Sequence, residues 1–204
     1  MGLKKASKGS LFYHLTDIAN LPSIIQNGLL SRNRLLKCGD LFQDVANPDI
    51  ISKRGDLNNY IPFHFHPYTA FDIAVKHTYQ NKIFIYLCLS RKLAERKGFF
   101  ILPMHPLSEH DFYPNPLSYQ EGYNAINWNY MTKKESEFAT DEDRRKAKQI
   151  KMAECLVPDR LDIDDIMSIG VPSETIKNRV ISIFHSMHHR HVPHVNILEE
   201  WFKR

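Results

Sequence analysis

The alternation of apolar and polar residues along the chain predicts short strands and helices in irregular order. An apolar run over 11–15 predicts a strand. Apolar positions at helical spacing from Ile18 to Ile25 predict a helix that ends at Gly28. The run 82–89 is apolar on both faces and is therefore expected to be a central strand. Further strands are predicted at 60–65, 99–102, 151–157, 166–171 and 195–197, and further helices at 67–78, 90–96, 141–148 and 173–184. Because strands and helices do not alternate regularly, an α+β fold is expected.

Other stretches lack a regular apolar pattern. Residues 1–10 are polar and rich in lysine, which indicates a flexible arm. Residues 31–60 are polar and basic, with a short helix predicted at 47–53. Residues 103–150 are interrupted by prolines, and aromatic side chains alternate there with polar ones. So long an irregular stretch is usually either functional or disordered.

The composition suits a single domain. The chain has 204 residues, 43% of them hydrophobic, and its net charge of +4 permits a nucleic-acid partner without requiring one. No segment approaches the roughly 20 apolar residues of a membrane span, and no signal-peptide core follows the basic N-terminus. Cys38, Cys88 and Cys155 are widely separated, which indicates no disulfide framework and favours a reducing cytoplasm. The histidines between 185 and 194 lack an accompanying Cys or carboxylate pattern, so no metal site is expected.

Glu154 is the most informative residue of the sequence. It lies in the apolar run 151–157, which is predicted to be a buried strand. Strand side chains alternate between faces, so Glu154 projects with Met152 and Leu156. Cys155 projects from the other face and is interpreted as core packing. An isolated buried charge is costly, so the carboxylate must be paired or must line a cavity. The run alone leaves open whether Glu154 is a structural salt-bridge partner or a functional group.

Several familiar catalytic motifs are missing from the sequence. It contains no glycine-rich phosphate loop, no G-x-S-x-G and no C-x-x-C. A nucleotide site of the Walker or Rossmann kind is therefore not expected. The residues by themselves are also compatible with a basic α+β domain that binds nucleic acid with a strong salt dependence.

Ordered motifs along nearly the whole chain match the pattern of a known family. They are 13–29 (YHLTDIANLPSIIQNGL), 60–67 (YIPFHFHP), 151–157 (KMAECLV) and the closing segment 195–202. In this order they resemble the opening motif, the second strand motif, the catalytic strand and the last strand of the DarT family, which comprises DNA-modifying ADP-ribosyltransferase toxins. Within the second motif, His64 and His66 depart from the residues that the family often has there.

The resemblance implies a fold, an activity and partners. The implied fold is that of an ADP-ribosyltransferase, in which a split mixed β-sheet with flanking helices holds NAD+ in an extended conformation. The implied activity is transfer of ADP-ribose from NAD+, as a substrate, onto a base of single-stranded DNA, without a metal. The implied partner is a macrodomain antitoxin of the DarG kind that removes the ADP-ribose. The alternatives are an RNA or protein target, or a non-catalytic binding domain.

The same resemblance implies the site residues. Glu154 is expected to stabilise the positive charge that develops on the ribose as the glycosidic bond of NAD+ breaks. Arg54, or Lys53 beside it, is expected at the basic catalytic position, where a guanidinium suits a pyrophosphate or an activated base. His14 is expected to bond the adenosine-side ribose. The other expected cofactor-binding residues are Thr16, Asn20, Gly28 and Leu29, with Phe65 and Phe71 on the nicotinamide side.

In the light of this resemblance, the irregular stretch 103–150 is interpreted as an insertion that binds substrate. Single-stranded DNA is bound by stacking aromatic rings combined with basic side chains, and a base must be splayed out before it is modified. The DNA-binding residues predicted on this basis are Tyr123, Trp128, Tyr130, Arg144, Arg145 and Lys148. The alternative is a surface loop followed by a solvated helix face.

Overall fold

A computed structural model of the chain describes residues 3–38, 54–67, 69–105 and 115–203. The helix predicted at 47–53 lies outside these residues. Lys53, the alternative to Arg54 at the basic catalytic position, lies outside them as well.

The described residues form short strands and helices, among which the predicted elements occur in the predicted order, while the helices at 32–38, 119–125 and 128–132 were not predicted. The strands are β1 (Leu11–Asp17), β2 (Leu29–Leu30), β3 (Tyr60–His64), β4 (Phe84–Ser90), β5 (Phe100–Leu102), β6 (Glu154–Pro158), β7 (Arg160–Leu161), β8 (Ile166–Val171) and β9 (His194–Ile197). The helices are α1 (Leu21–Asn27), α2 (Arg32–Cys38), α3 (Ala70–Thr78), α4 (Arg91–Arg96), α5 (Tyr119–Ala125), α6 (Trp128–Thr132), α7 (Asp141–Ile150) and α8 (Glu174–Ser186). None of these described helices has the length and apolar character needed to cross a membrane.

The centre of the fold is a seven-stranded sheet with the order β5-β6-β3-β1-β4-β8-β9. Neighbouring strands are antiparallel except for β8 and β9, so the sheet is mixed. β4 lies inside the sheet, as its apolar faces predict. A separate two-stranded ribbon joins β2 to β7. This mixed sheet with flanking helices confirms the expected α+β class.

The sheet is nearly divided between β1 and β3. β1 pairs with β4 along its whole length. Its pairing with β3 on the other side is limited to Tyr13 opposite His64. Strands that part in this way leave backbone and side-chain polar groups available at the opening, which is where a ligand can enter a sheet.

Two hydrophobic cores cover the two faces of the sheet. Alternation along β1 sends Phe12 into the larger core, where side chains of α1, α5, α6 and α8 also pack. It sends Tyr13 into the smaller core, with Val75 of α3 and Trp201 near the C-terminus. Helix α3 begins with a capping box, in which the Thr69 hydroxyl accepts from the Asp72 backbone N–H and the Asp72 carboxylate accepts from Thr69 N–H.

The structure corrects two expectations about irregular segments. Leu3–Lys8 form a 3-10 helix rather than a loose arm, because Ala6 is buried and its carbonyl accepts from the Arg91 guanidinium at 2.8 Å. The described part of 103–150, from 115 onward, contains α5, α6 and α7. Its apolar pattern was hard to detect because aromatic side chains supply much of the buried face of these short helices.

Candidate active site

A cavity of about 760 Å³ opens beside the division of the sheet. Its volume lies within the range of small-molecule sites. The wall draws on β1, α1, β2, β3, α3 and β6, so residues distant in sequence converge on it. The predicted site residues that line it are His14, Thr16, Asn20, Gly28, Leu29, Arg54, Phe71, Lys148 and Glu154.

Glu154 and Arg54 form a buried, two-pronged ion pair in this wall. Glu154 is the first residue of β6, and Arg54 immediately precedes the 3-10 turn Gly55–Asn59 that leads into β3. Arg54 Nη1 donates to Glu154 Oε1 and Nη2 to Oε2, each at 2.9 Å. The side chains are only 14% and 3% exposed respectively. The planar guanidinium matches the carboxylate at both oxygens, which fixes the direction in which Glu154 points.

The pair is charged at neutral pH. Burial alone would raise the pKa of Glu154, but the charge and hydrogen bonds of Arg54 outweigh it and lower that pKa below its usual range. Burial alone would lower the pKa of Arg54, but the charge and hydrogen bonds of Glu154 outweigh burial and raise that pKa. The site therefore holds a fixed carboxylate that has little tendency to take up a proton.

His14 spans the division of the sheet. Its Nδ1 lies 2.8 Å from the carbonyl oxygen of Pro62 on β3. A carbonyl only accepts, so Nδ1 carries the hydrogen. Burial lowers the pKa of His14 to about 4, although the bond to Pro62 opposes this shift. The ring is therefore neutral at pH 7, and Nε2 offers a lone pair to a hydroxyl or amide donor.

The wall beyond His14 combines a few polar groups with an apolar shelf. The amide of Asn20 donates to the hydroxyl of Thr16 at 3.3 Å. Gly28 has φ 82°, and a side chain there would approach the Leu161 carbonyl to 2.8 Å, so only glycine lets the chain turn so close to the β2–β7 ribbon. The shelf consists of Ile24, Leu29, Leu30, Leu35 and Ile61.

The two phenylalanines expected near the nicotinamide lie in different places, one in the cavity wall and the other in the core. Phe71, in the first turn of α3, lines the cavity. Phe65 does not lie in the described wall: it is buried in the larger core, with its ring 4.8 Å from that of Phe12. The expectation for Phe65 is therefore corrected. Alternation explains the difference, because Phe63 and Phe65 face the larger core whereas His64 between them faces the cavity.

Sequence reasoning missed two histidines of the wall. His64 sits directly opposite Glu154 in the register of β3 and β6, and His105 follows β5, whose Leu102 is also paired with Glu154. Burial lowers the pKa of His105, with Glu154 acting in the opposite direction. The signal for His64 was present in strand alternation. The signal for His105 was not, because it depends on which strand lies beside β6.

The aromatic residues predicted to stack on DNA bases pack against the protein instead. The ring of Trp128 lies 5.5 Å from that of Phe65 and 4.8 Å from that of Tyr123. The Tyr123 hydroxyl donates to the carbonyl of Ser7 at 3.0 Å. The Tyr130 hydroxyl donates to Asp143 at 2.6 Å. These contacts place the three predicted aromatic residues in intramolecular packing and do not assemble them into an outward-facing platform.

The basic residues predicted to bind DNA fall into different environments. Arg144 donates to Asp141 and to the carbonyl of Phe138, so it holds the start of α7. Arg145 is exposed on the same helix. Lys148 lines the cavity wall, with its side chain 58% exposed and Nζ 3.6 Å from Glu135. Lys148 is thus the predicted DNA contact that the structure brings to the same cavity as Glu154.

The described residues offer neither a metal site nor a reactive cysteine. In the described ranges, no group of three or more His, Cys, Asp or Glu side chains is arranged to hold a metal ion. Cys155 lies in the larger core on the face opposite Glu154, as alternation predicts, and burial raises the pKa of its thiol. Burial likewise raises the pKa of the Cys88 thiol, to about 12, so neither thiol is an activated nucleophile.

Comparison with known proteins gives the fold and the family of this chain. A DNA ADP-ribosyl transferase of Thermus aquaticus is 26% identical over 209 aligned positions, which cover 95% of this chain and 89% of that protein. The structure of Thermus sp. 2.9 DarT in complex with ADP-ribosylated single-stranded DNA matches with a TM-score of 0.77 at 21% identity, covering 96% of this chain and 97% of that one.

Other solved structures match with the same topology. Thermus sp. 2.9 DarT in complex with NAD+ gives a TM-score of 0.73 at 20% identity, covering 95% of this chain and 98% of that one. Thermosipho africanus DarTG in complex with ADP-ribose gives 0.70 at 21% identity, covering 95% of this chain and 51% of that one. The family model of the single-stranded-DNA thymidine ADP-ribosyltransferase DarT matches residues 13–203. From the opening strand to the C-terminal turn, therefore, this chain belongs to the DarT family of single-stranded-DNA thymidine ADP-ribosyltransferases.

Proposed function

We propose that the cavity binds NAD+ and that Glu154, clamped by Arg54, drives transfer of ADP-ribose to thymidine in single-stranded DNA. The observation that carries the proposal is the buried, doubly hydrogen-bonded Arg54–Glu154 pair in the cavity wall. Charged pairs are rarely kept in a buried wall for stability alone, because desolvation offsets most of their attraction. A fixed carboxylate facing a cavity of this size supports a catalytic role.

The chemistry needs a carboxylate that stays ionised. Breaking the bond between nicotinamide and ribose in NAD+ gives a transition state in which the ribose carries positive charge. A negative group that is already oriented stabilises this charge without reorganising at the moment of reaction. Arg54 keeps the pKa of Glu154 low, so the carboxylate is available across the neutral range. The bond broken and the bond formed are both glycosidic, so the reaction is a pentosyl transfer.

Arg54 has donors beyond those that hold Glu154. The guanidinium carries five N–H groups, of which the pair with Glu154 engages one at each terminal nitrogen. The remaining donors can bind a phosphate oxygen of NAD+ or a carbonyl oxygen of the incoming thymine. A contact with the phosphate would orient NAD+, and a contact with the thymine carbonyl would favour the transition state, because that oxygen gains negative charge as N3 loses its proton.

The rest of the wall supports an extended NAD+ that crosses the division of the sheet. The lone pair on His14 Nε2 suits a hydroxyl of the adenosine ribose, because the opposite ring nitrogen is committed to Pro62. The apolar shelf beside Gly28 and Leu29 suits the adenine ring. Phe71 lies across the cavity and suits the nicotinamide. Thr16 and Asn20 border the nucleotide between these ends.

The acceptor strand is proposed to approach past α7. Lys148 contributes to the cavity wall and Arg145 is exposed on the same helix, so both can neutralise phosphates of a single strand whose base enters the cavity. In the cell, we propose that the protein acts in the cytoplasm as the toxin of a toxin–antitoxin pair. A macrodomain antitoxin of the DarG kind would remove the ADP-ribose, and the match to a DarTG chain supports this pairing.

The proposal is tested by mass spectrometry of defined oligonucleotides. Single strands with one thymidine, or with none, are incubated with NAD+ and either wild-type protein or Glu154→Ala. The expected result is a mass gain of one ADP-ribose on the thymidine strand with the wild type only. Glu154→Gln, which keeps the shape and removes the charge, is expected to be as inactive.

The same assay separates the alternative targets. A matching RNA strand and a carrier protein are included in parallel reactions. Modification of RNA or protein in preference to the thymidine strand would replace DNA as the target. If the protein binds NAD+ but modifies none of these acceptors, it is a non-catalytic binding domain.

A further inference from the structure

The reaction releases a proton that the Arg54–Glu154 pair is poorly suited to take. Thymine in DNA has a single ring N–H, at N3, because N1 bears the deoxyribose. When N3 bonds to the ribose carbon and neutral nicotinamide departs with the electron pair of the broken bond, the N3 proton must leave. Arg54 has no lone pair, and both carboxylate oxygens of Glu154 already accept hydrogen bonds from it. Arg54 also holds the pKa of Glu154 below its usual range, which makes the carboxylate a weak base.

His64 stands beside this pair at the division of the sheet. It is the last residue of β3, and its register partners are Tyr13 on β1 and Glu154 on β6. Residues directly opposite in neighbouring strands project from the same face, so His64 and Glu154 face the cavity together. The His64 side chain lines the cavity although the residue is only 6% exposed.

The hydrogen bond of His64 sets its tautomer. Nδ1 lies 3.3 Å from the carbonyl oxygen of Ala153, which precedes Glu154. The carbonyl can only accept, so Nδ1 carries the hydrogen and the neutral ring keeps its lone pair on Nε2. His64 thus has a proton-accepting atom, and the ring is held by the backbone of the strand that carries the catalytic carboxylate.

Asp72 is a second carboxyl group of the cavity wall. It lies in the first turn of α3, lines the cavity and is 1% exposed. Its Oδ2 accepts from Thr69 N–H, whereas Oδ1 has no hydrogen-bond partner among the described residues. Burial raises the pKa of Asp72, and the nearby His64 acts in the opposite direction. A buried carboxylate oxygen without a donor is costly, and a protonated His64 would offset that cost.

The other histidines near His64 are less suited to the task. His14 directs Nδ1–H at Pro62 and has a pKa of about 4. His66 directs Nε2 at the carbonyl of Lys151 and is buried with a pKa of about 3. His105 lies on the far side of Glu154, after β5. The charged and titratable groups that face His64 are Glu154 with Arg54, Asp72, Tyr13, His14, His66 and His105.

We propose that His64 accepts the N3 proton of thymine on Nε2 as N3 bonds to the ribose, with the Asp72 carboxylate stabilising the resulting imidazolium. The inference rests on the proposed function, since it assumes thymidine as the acceptor and Glu154 as the group that stabilises the ribose cation. The imidazolium returns its proton to solvent after the modified strand leaves. His64 therefore acts on the acceptor base, and Glu154 acts on the donor sugar.

The test compares two acceptor bases that differ in N3 acidity. One oligonucleotide carries thymidine, and the other carries 5-trifluoromethyl-deoxyuridine, whose electron-withdrawing group acidifies N3–H while a substituent remains in the place of the methyl group. His64→Asn keeps a donor for the Ala153 carbonyl and removes the base. We expect it to slow thymidine modification about 100-fold to 10,000-fold, the usual range for a general base. The loss on the trifluoromethyl base is expected to be at least tenfold smaller.

Matched variants make the test specific. Glu154→Gln is expected to slow both substrates alike, because its effect is on the sugar. Asp72→Asn keeps an acceptor for Thr69 N–H and is expected to show the selective loss of His64→Asn in weaker form. It carries the test if His64→Asn does not fold. NAD+ binding and thermal unfolding are measured for each variant.

The outcomes separate the inference from the proposed function. If the wild type modifies neither base, the proposed function fails and the inference fails with it. If the wild type is active and His64→Asn loses the same factor on both bases, or loses nothing, the proton acceptor is not His64. The same selective test on His105→Asn then shows whether that histidine takes the proton.

Discussion

The cavity wall and the α5–α7 segment contain similar kinds of residues but use them in opposite ways. In the wall, Arg54 and Glu154 are buried against each other and face an open space. In the α5–α7 segment, Trp128 and Tyr123 turn their rings into the larger core. The cavity wall presents polar groups to an open space, whereas the α5–α7 segment packs its aromatic side chains against the core.

The difference follows from the kind of element that carries the residues. At the division of the sheet, register forces side chains from β1, β3 and β6 to share one small space, whatever their polarity. Buried polar groups there must satisfy one another or a ligand. Short amphipathic helices such as α5 and α6 turn their apolar side inward, so an aromatic residue among polar ones is more often packing than a stacking surface. Residue type alone therefore indicates little until the element and its neighbours are known.

Of the changes that compare these two regions, breaking the Arg54–Glu154 pair is expected to have the largest effect. Arg54→Gln removes the charge that orients Glu154, and we expect a loss in the rate of DNA modification of about 100-fold to 1000-fold, as for other preorganised electrostatic groups. Burial of Glu154 then loses its strongest opposing group, so the pKa of Glu154 rises and the acid limb of the pH–rate profile moves to higher pH. Steady-state rates on a thymidine oligonucleotide as a function of pH measure both effects.

A surface pair serves as the control for this variant. Arg34 forms an ion pair with Asp159 in which both side chains are well exposed, and it does not line the cavity. Arg34→Gln is expected to leave the rate and its pH dependence unchanged. Equal losses in the two variants would mean that the Arg54 effect is a general loss of stability and not a property of the site.

The second prediction concerns packing by Trp128. Truncation of a large aromatic residue in a core costs about 3 to 5 kcal/mol in the free energy of unfolding, and Trp128 is half-buried, so the lower value is expected for Trp128→Ala. Because the ring contacts Phe65 and Tyr123 and not the cavity, affinity for single-stranded DNA is expected to stay the same below the unfolding transition.

Thermal unfolding and fluorescence anisotropy on a labelled oligonucleotide distinguish the two roles of Trp128. Asn129→Ala, at the exposed neighbouring position, is the control and is expected to change neither quantity. Weakened DNA binding with unchanged stability would restore the original stacking interpretation for this segment.

Some residues of the site could be predicted from the sequence, and others could not. His14 and Thr16 were found because they lie in a motif of the family, and Glu154 was found because strand alternation also gives the face from which it projects. The partnership of Arg54 with Glu154 was not visible, because it joins residues 100 positions apart. His64 was within reach: the same alternation that sends Phe65 into the core sends His64 towards Glu154.

The third prediction uses His14 on β1 and His66, which lies two residues after the end of β3. Burial lowers the pKa of His14 from 6.5 to about 4 and that of His66 to about 3, so the folded protein keeps both neutral where the unfolded chain takes up protons. The stability they contribute is complete above pH 6.5 and is lost as the pH falls from there, down to about 4 for His14 and about 3 for His66. Each group adds at most about 1.4 kcal/mol per pH unit to this slope.

His66→Gln isolates one of these contributions. Glutamine can keep a donor for the Lys151 carbonyl but does not titrate. The free energy of unfolding, measured by denaturant titration between pH 6.5 and 4.5, is expected to depend less steeply on pH in the variant. A variant slope equal to that of the wild type would mean that His66 is protonated in the folded protein.

The smallest expected effect comes from a basic residue on the exposed face of α7. Arg144 holds Asp141 and the Phe138 carbonyl, so its replacement mixes stability with binding, whereas Arg145 is exposed and can be changed alone. Arg145→Glu is expected to weaken single-stranded DNA binding several-fold and to lower the salt dependence of binding by about 0.7 per lost phosphate contact, with NAD+ binding unchanged. Arg96→Glu on α4 makes the same change of net charge at an exposed position outside the cavity wall. If both variants weaken DNA binding equally, the effect is one of overall charge and α7 is not on the path of the strand. If only Arg145→Glu does, the DNA follows the polar outer face of the segment whose aromatic residues pack inward.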